Sequence, residues 1–179
     1  GVGNELHAVE TRFLDPSRRR AESFHGTVDV ALVHCLGKSP MGWLARAQLA
    51  SAVSNAGGMG IIETSSGELD AIRVEIERMR ELTERPFGVN IAQAFVRDPG
   101  IVDFIIEQGV RFVTTSAGDP KKYTTALKDA GLTVFHVVPT LRAAQKAVDA
   151  GVDGLVVEGG EGGGFKGPEP ISTLVLVPL

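Results

Sequence analysis

The sequence predicts an α/β protein built on a parallel β-sheet. Three observations lead there. Apolar runs of strand length recur along the chain, amphipathic segments of helical period separate them, and glycines mark the helix-to-strand junctions. The junctions form a repeat: "QGVRFVTTS" begins at Gln108, "AGLTVFHVV" at Ala130 and "AGVDGLVVE" at Ala150, at offsets of 22 and 20 residues. "AGGMGII" at Ala56 is a looser copy. Glycine ends a helix well because it enters the left-handed conformation without a Cβ penalty. The unbroken apolar run after it suits a parallel strand covered on both faces.

Residues 1–28 stand apart. They are polar, hold Arg18-Arg19-Arg20 and keep no sustained period, so an irregular arm is expected there. Residues 29–179 read as one domain with six strands, at about 29–35, 59–62, 86–91, 111–116, 132–138 and 154–158. Helices alternate with them. "GELDAIRVEIERMREL" sets Leu69, Ile72, Ile76, Met79 and Leu82 on one face, with charges opposite. Glu68, Asp70 and Glu75 lie toward its start and Arg78 and Arg80 toward its end, in line with the helix dipole. "PGIVDFIIEQ", "PKKYTTALKDA" and "TLRAAQKAVDA" are shorter versions. Pro99 and Pro120 suit first-turn positions, and Thr140 can cap the last helix. Such βα repetition leaves an open doubly wound sheet and a barrel both open. A closed (β/α)8 barrel needs two more units and typically about 250 residues. The chain stops inside the apolar run "ISTLVLVPL", so a piece of something longer is expected, with unpaired sheet edges.

Bulk properties narrow the function. A length of 179 residues supports one domain with a real core. The net charge of −4 argues against a general nucleic-acid or anionic-membrane binder. Cys35 is the single cysteine, so no disulfide framework is available and a cytoplasmic location is expected. No apolar run approaches the ~18 residues of a membrane span. The first 20 residues carry no secretory-type apolar stretch.

Parallel architectures place functional groups at the carboxyl ends of strands. Pro40, Met41, Gly42 and Trp43 follow the first strand, and Glu63 follows the second. The third ends in Asn90, the fourth in Thr114, Thr115 and Ser116, the fifth at His136, and the sixth at Glu158 and the glycine loop. Their convergence on one rim is a stronger signal than any single residue. His136, inside "TVFHVV", is either a core histidine bonded to backbone or a general base at a strand end. Asn90 is a strand-terminal cap or an amide for a heteroaromatic ring edge. Ser116 reads most simply as the start of the turn "AGDP". His7, His25 and His34 lie in or near the atypical part and carry less weight.

The loop in "LVVEGGEGGGFKGPEP", Leu155 to Pro170, ends in no GK[ST] and lacks the spaced dinucleotide fingerprint. Its amides could approach a flat cofactor or form an anion nest. No GxSxG elbow and no metal-ligand spacing is present.

"PMGWLARAQLASAVSNAGGMGII", "RPFGVNI" and "GVDGLVVEGGEGGG" resemble the nitronate monooxygenase (2-nitropropane dioxygenase) family, over roughly residues 38–179. The resemblance implies a (β/α)8 barrel of the TIM type, here truncated to about six βα units, with FMN as cofactor and no metal. It implies a small-molecule substrate, a nitronate or nitroalkane, and O2 as oxidant, with room for a homo-oligomer. It places Pro40, Met41, Gly42, Asn90, Glu158, Gly159, Gly163 and Gly164 at the flavin and makes His136 catalytic; Ser116 is a further candidate flavin contact. The flavin-dependent enoyl-ACP reductases are similar, but many relatives have histidine where this chain has Phe165. Phe165 cannot transfer a proton, which disfavours the reductase reading. The family grips the FMN phosphate after strands seven and eight, which lie beyond this sequence. Two other readings remain: a non-catalytic fragment of such an enzyme, and an open sheet that binds a nucleotide without redox chemistry.

Overall fold

The structure is a computed structural model that describes residues 46–162 and 169–179. The expected arm and first strand lie outside the described residues, as do Pro40, Met41, Gly42, Gly163, Gly164 and Phe165. Helix α1 (Ala47–Asn55) leads into strand β1 (Gly60–Glu63) and helix α2 (Leu69–Leu82). Strand β2 (Phe87–Ala92), helix α3 (Ile101–Glu107) and strand β3 (Phe112–Ser116) follow. Helix α4 (Thr124–Asp129), strand β4 (Thr133–Val138), helix α5 (Leu141–Asp149), strand β5 (Gly154–Val157) and a last short helix α6 (Thr173–Leu176) complete the order. The five strands are the expected second to sixth, each within two residues of its expected bounds. All neighbours pair parallel in the order β1-β2-β3-β4-β5.

That order decides between the two architectures left open by the sequence. A doubly wound sheet reverses direction at a switch point and carries helices on both faces. Here each strand lies beside its predecessor. Ala47 and Ala50 of α1, Ile72, Ile76 and Met79 of α2, Phe104 and Ile105 of α3, and Leu127 of α4 share one buried cluster with Ile62, Val89, Ile91, Val113 and Val134 of the sheet. The helices therefore cover one face, which is the winding of a (β/α) barrel. Each large aliphatic or aromatic side chain among them contributes about 1.5–3 kcal/mol on burial.

The repeat has the geometry that its glycines suggest. Gly109, Gly131 and Gly151 have φ of +66°, +81° and +81°, and each amide donates to the carbonyl three residues back in the preceding helix. Thr140 caps α5, its Oγ1 accepting from the amide of Ala143 at 3.1 Å. Three details differ from expectation. Leu82, the last residue of α2, is exposed. Pro99 precedes the cap Gly100 of α3 instead of opening the helix, and Pro120 opens a 3-10 turn (Pro120–Lys122) ahead of α4. Glu75 reaches across to α1, accepting from the amide of Ala47 at 2.8 Å, and so ties α1 to α2.

The opposite face of the sheet carries a second, smaller cluster: Ile61, Phe112 and Phe135, with Met59 and Val156 against them. The two rings lie 5.1 Å apart and tilted by 56°, an arrangement that favours edge contact between aromatic quadrupoles. Glycines make room for them. A Cβ on Gly154 would sit 2.5 Å from the Phe135 ring, and one on Gly88 would sit 2.6 Å from Phe112. Among the described residues, no helix is long and apolar enough to cross a membrane.

Gly154→Ala forces Phe135 off its rotamer and is expected to destabilise the fold by about 1–3 kcal/mol, the usual cost of overpacking. Urea midpoints of the variant and parent test this; an unchanged midpoint would show that the inner aromatic layer has slack.

Candidate active site

Adjacent residues of a strand point to opposite faces. Strand pairing sets Glu63, Asn90, Thr114, Phe135 and Gly154 in one row across the sheet. This row belongs to the inner face, the side of Phe112 and Phe135. The row Ile91, Thr115, His136, Leu155 lies one residue on and faces the helices. Ser116 returns to the inner face.

Asn90 is buried and held on both sides. Its Oδ1 accepts from Thr114 Oγ1 at 2.9 Å and its Nδ2 donates to Ser116 Oγ at 3.3 Å. Its backbone carbonyl accepts from Thr64 Oγ1 at 2.8 Å. One amide N–H and one lone pair of the carboxamide stay uncommitted among the described residues. Ser116 ends β3 and begins the turn, as its sequence context suggests, and also takes part in this network. Glu63 accepts from the amide and hydroxyl of Ser65, so it stabilises its own turn.

His136 is 3% exposed. Its Nδ1 lies 2.6 Å from Thr115 Oγ1, which in turn donates to the carbonyl of Phe135 at 3.5 Å. One hydroxyl hydrogen serves one acceptor. The two contacts coexist when Nδ1–H donates to Thr115 and Thr115 donates to Phe135, which leaves a lone pair on Nε2. Nε2 has no partner among the described residues. Burial lowers the pKa of the ring below its ordinary value, and the nearby Asp119 carboxylate opposes this in part. The imidazole is therefore neutral near pH 7.

A cleft of about 660 Å³ opens over the ends of β3, β4 and β5, a volume typical of small-molecule sites. Ser116, His136 and Glu158 all line it, together with Asp119, Arg142 and Lys146. The structure thus brings three of the expected residues onto one cleft and holds Asn90 one hydrogen bond away. It does not put His136 on the same sheet face as Asn90 and Ser116.

Gly159 also has a role in the fold. Its amide donates to Thr173 Oγ1 at 2.9 Å, and a Cβ there would lie 2.1 Å from the Thr173 nitrogen. The amides of Gly160 and Gly162 bond to the carbonyls of Ile171 and Gly159. These three glycines serve the fold-back of the chain onto α6, so their amides do not form an anion nest.

Sequence reasoning missed Gln93, Arg142 and Lys146. Gln93 is buried in a 3-10 turn after β2; its Nε2 donates to the Asp119 carbonyl at 3.0 Å while its Oε1 has no partner among the described residues. A Cβ on Gly118 would lie 2.3 Å from that oxygen. Arg142 and Lys146 read as an ordinary solvated helix face. Their spacing of four on a helix that directly follows a strand end is the signal that could have found them. Ala117, between Ser116 and Gly118, has a φ of +53°, a conformation side chains rarely adopt and a cost often found beside functional loops. Among the described residues, no group of three or more His, Cys, Asp or Glu is placed to hold a metal.

The sequence pattern of the nitronate monooxygenase family matches residues 27–96 and 92–179. The chain belongs to this family. Its members are flavin-dependent oxidoreductases. The chain is 36% identical over 150 residues, 83% of its length, to the (3aS,4S,5R,7aS)-5-hydroxy-7a-methyl-1-oxo-octahydro-1H-indene-4-carboxyl-CoA dehydrogenase of Mycobacterium tuberculosis, covering 41% of that protein. It is 28% identical over 169 residues to a nitronate monooxygenase of Paraburkholderia phytofirmans, 73% of this chain and 46% of that one. The solved structure of FabK from Thermotoga maritima is similar, with a TM-score of 0.70 and 39% identity, over 78% of this chain and 44% of FabK. The chain thus spans less than half the length of these three relatives.

Because the folded ring of His136 resists protonation, the unfolded ring takes up its proton first as acid is added. The stability linked to this group is complete above the ordinary pKa of 6.5 and is lost as pH falls through 6.5 toward the lower folded value. His136→Gln should remove that part of the slope. Denaturant midpoints at pH about 7.5 and about 5.5 check it; parallel slopes in variant and parent would mean that the ring titrates normally.

Proposed function

We propose that the protein carrying this sequence is an FMN-dependent oxidoreductase that takes hydrogen from carbon beside an electron-withdrawing group. The observation that carries this is the cleft on which Ser116, Glu158 and a neutral His136 meet, with Nε2 of the imidazole unpartnered among the described residues. The residues fit a flavin. The uncommitted N–H and lone pair of Asn90 suit the edge of a ring that alternates donors and acceptors. Pro40, Met41, Gly42, Ser116, Glu158, Gly163 and Gly164 complete the proposed contacts. FMN, when bound, would supply the two-electron acceptor that no side chain here provides, with O2 as terminal oxidant.

His136 acts as the base. Its Nε2 lone pair accepts the carbon proton, and the Nδ1–H to Thr115 to Phe135 carbonyl chain keeps the ring in that tautomer. Burial keeps the ring neutral and ready. Two carbon acids suit this chemistry. One is a nitroalkane or its nitronate, as the family's name indicates. The other is the α-carbon of an acyl thioester, and two observations favour it. Identity is higher to the carboxyl-CoA dehydrogenase, 36% against 28% for the nitronate monooxygenase. The cleft, at about 660 Å³ and with two cations on its wall, is larger and more charged than a small nitroalkane needs.

The purified full-length protein should carry flavin absorbance. His136→Asn should lower turnover of a neutral carbon acid by about 100-fold or more, within the range for loss of a general base, with a smaller loss on the pre-formed anion. A colourless protein that takes up no added FMN would sink the flavin assignment; equal rates for variant and parent would discard His136 as base.

A further inference from the structure

We propose that Arg142 and Lys146 form an anion subsite that takes a phosphate group on the tail of the substrate, at the helix end of the cleft. The proposal rests on the acyl-thioester reading above and names the part of that substrate which the cleft recognises. Three observations support it. Arg142 and Lys146 stand four residues apart on α5, so they share one helix face, and both line the cleft. Neither has a hydrogen-bond or ion-pair partner among the described residues, unlike Arg46 with Glu75 or Lys128 with Asp153.

The second observation is where α5 begins. Thr140 and Ala143 also line the cleft, so the positive end of a nine-residue helix abuts the same space. The third is His136. The residue is 3% exposed, and among the described residues its Nε2, at the cleft, has no partner. An acceptor that borders the cleft with its lone pair unused is a point where a ligand can complete the site. It also fixes the direction of the ligand, with its reacting carbon at His136 and its anionic end on α5.

The charge balance of the cleft limits the ligand. Asp119 and Glu158 line it from the ends of β3 and β5. A uniformly polyanionic ligand would meet them, whereas one anionic at a single end would not. Phosphate recognition by arginine is bidentate and stronger than a neutral hydrogen bond. The cleft is also far larger than a lone phosphate, which leaves room for the rest of the substrate.

Calorimetric titration of the full-length protein with coenzyme A, inorganic pyrophosphate and FMN tests this without any turnover. Coenzyme A and pyrophosphate should bind the parent. The double variant Arg142→Gln, Lys146→Gln should weaken both by about tenfold or more, as expected for lost charge-assisted contacts. Its FMN affinity should stay near the parent value. Lys121→Gln removes a charge outside the cleft and should leave all three affinities unchanged. Equal coenzyme A binding by double variant and parent overturns the proposal, as does failure of both anions to bind the parent. A parallel fall in FMN and pyrophosphate affinity would also overturn it, by giving the pair to the cofactor phosphate. Loss of coenzyme A binding in the double variant with no turnover in the parent would uphold the subsite and remove the catalytic reading alone.

Discussion

The geometry of the site rests on one hydrogen-bonded row, in which Asn90 is clamped between Thr114 and Ser116 of the neighbouring strand. A buried carboxamide without partners would cost several kcal/mol on transfer from water. Two hydroxyls on alternate positions of β3 remove that cost, and they do so only if β2 and β3 pair parallel in the observed register. A slip of one residue would turn Thr114 and Ser116 toward the helices and bring Thr115 to the inner face. The polar row therefore fixes register, and register fixes which residues look inward.

The same alternation gives the protein two chemically different faces. Inward, Phe112 and Phe135 form an apolar floor, with Asn90 and Ser116 nearer the rim. Toward the helices, Val113 and Val134 join the main core, and two positions further along each strand Thr115 and His136 bond to each other. His136 is thus the point where core becomes site. It is buried as a core residue is, yet its free nitrogen borders the cleft. Burial and function are linked here, since the surroundings that exclude water also keep the ring neutral.

Glycine serves this fold in two separate ways. Gly109, Gly131 and Gly151 turn helix into strand in the left-handed conformation. Gly88 and Gly154 instead give way to aromatic rings, and Gly159 to the returning chain. Both uses look alike in the sequence. Only the first recurs at a regular offset, so it was legible, whereas nothing in the glycine loop announced that the amides of Gly159, Gly160 and Gly162 bind their own chain.

The sequence by itself determined the βα repetition, the strand bounds and the rim on which Asn90, Ser116, His136 and Glu158 lie. These follow from local physics: apolar period, glycine at helix ends and strand direction in a parallel sheet. Tertiary structure decided the rest. The order of strands separated barrel winding from double winding, because both arise from the same local pattern. Side-chain contacts gave His136 its partner Thr115 and left Gln93 Oε1 without one among the described residues. The packing of α5 against β4 brought Arg142 and Lys146, ordinary surface cations by composition, onto the same cleft as a histidine from the neighbouring strand. A helix directly after a strand end hinted at this meeting in the sequence, but only the packing showed that both cations reach the cleft.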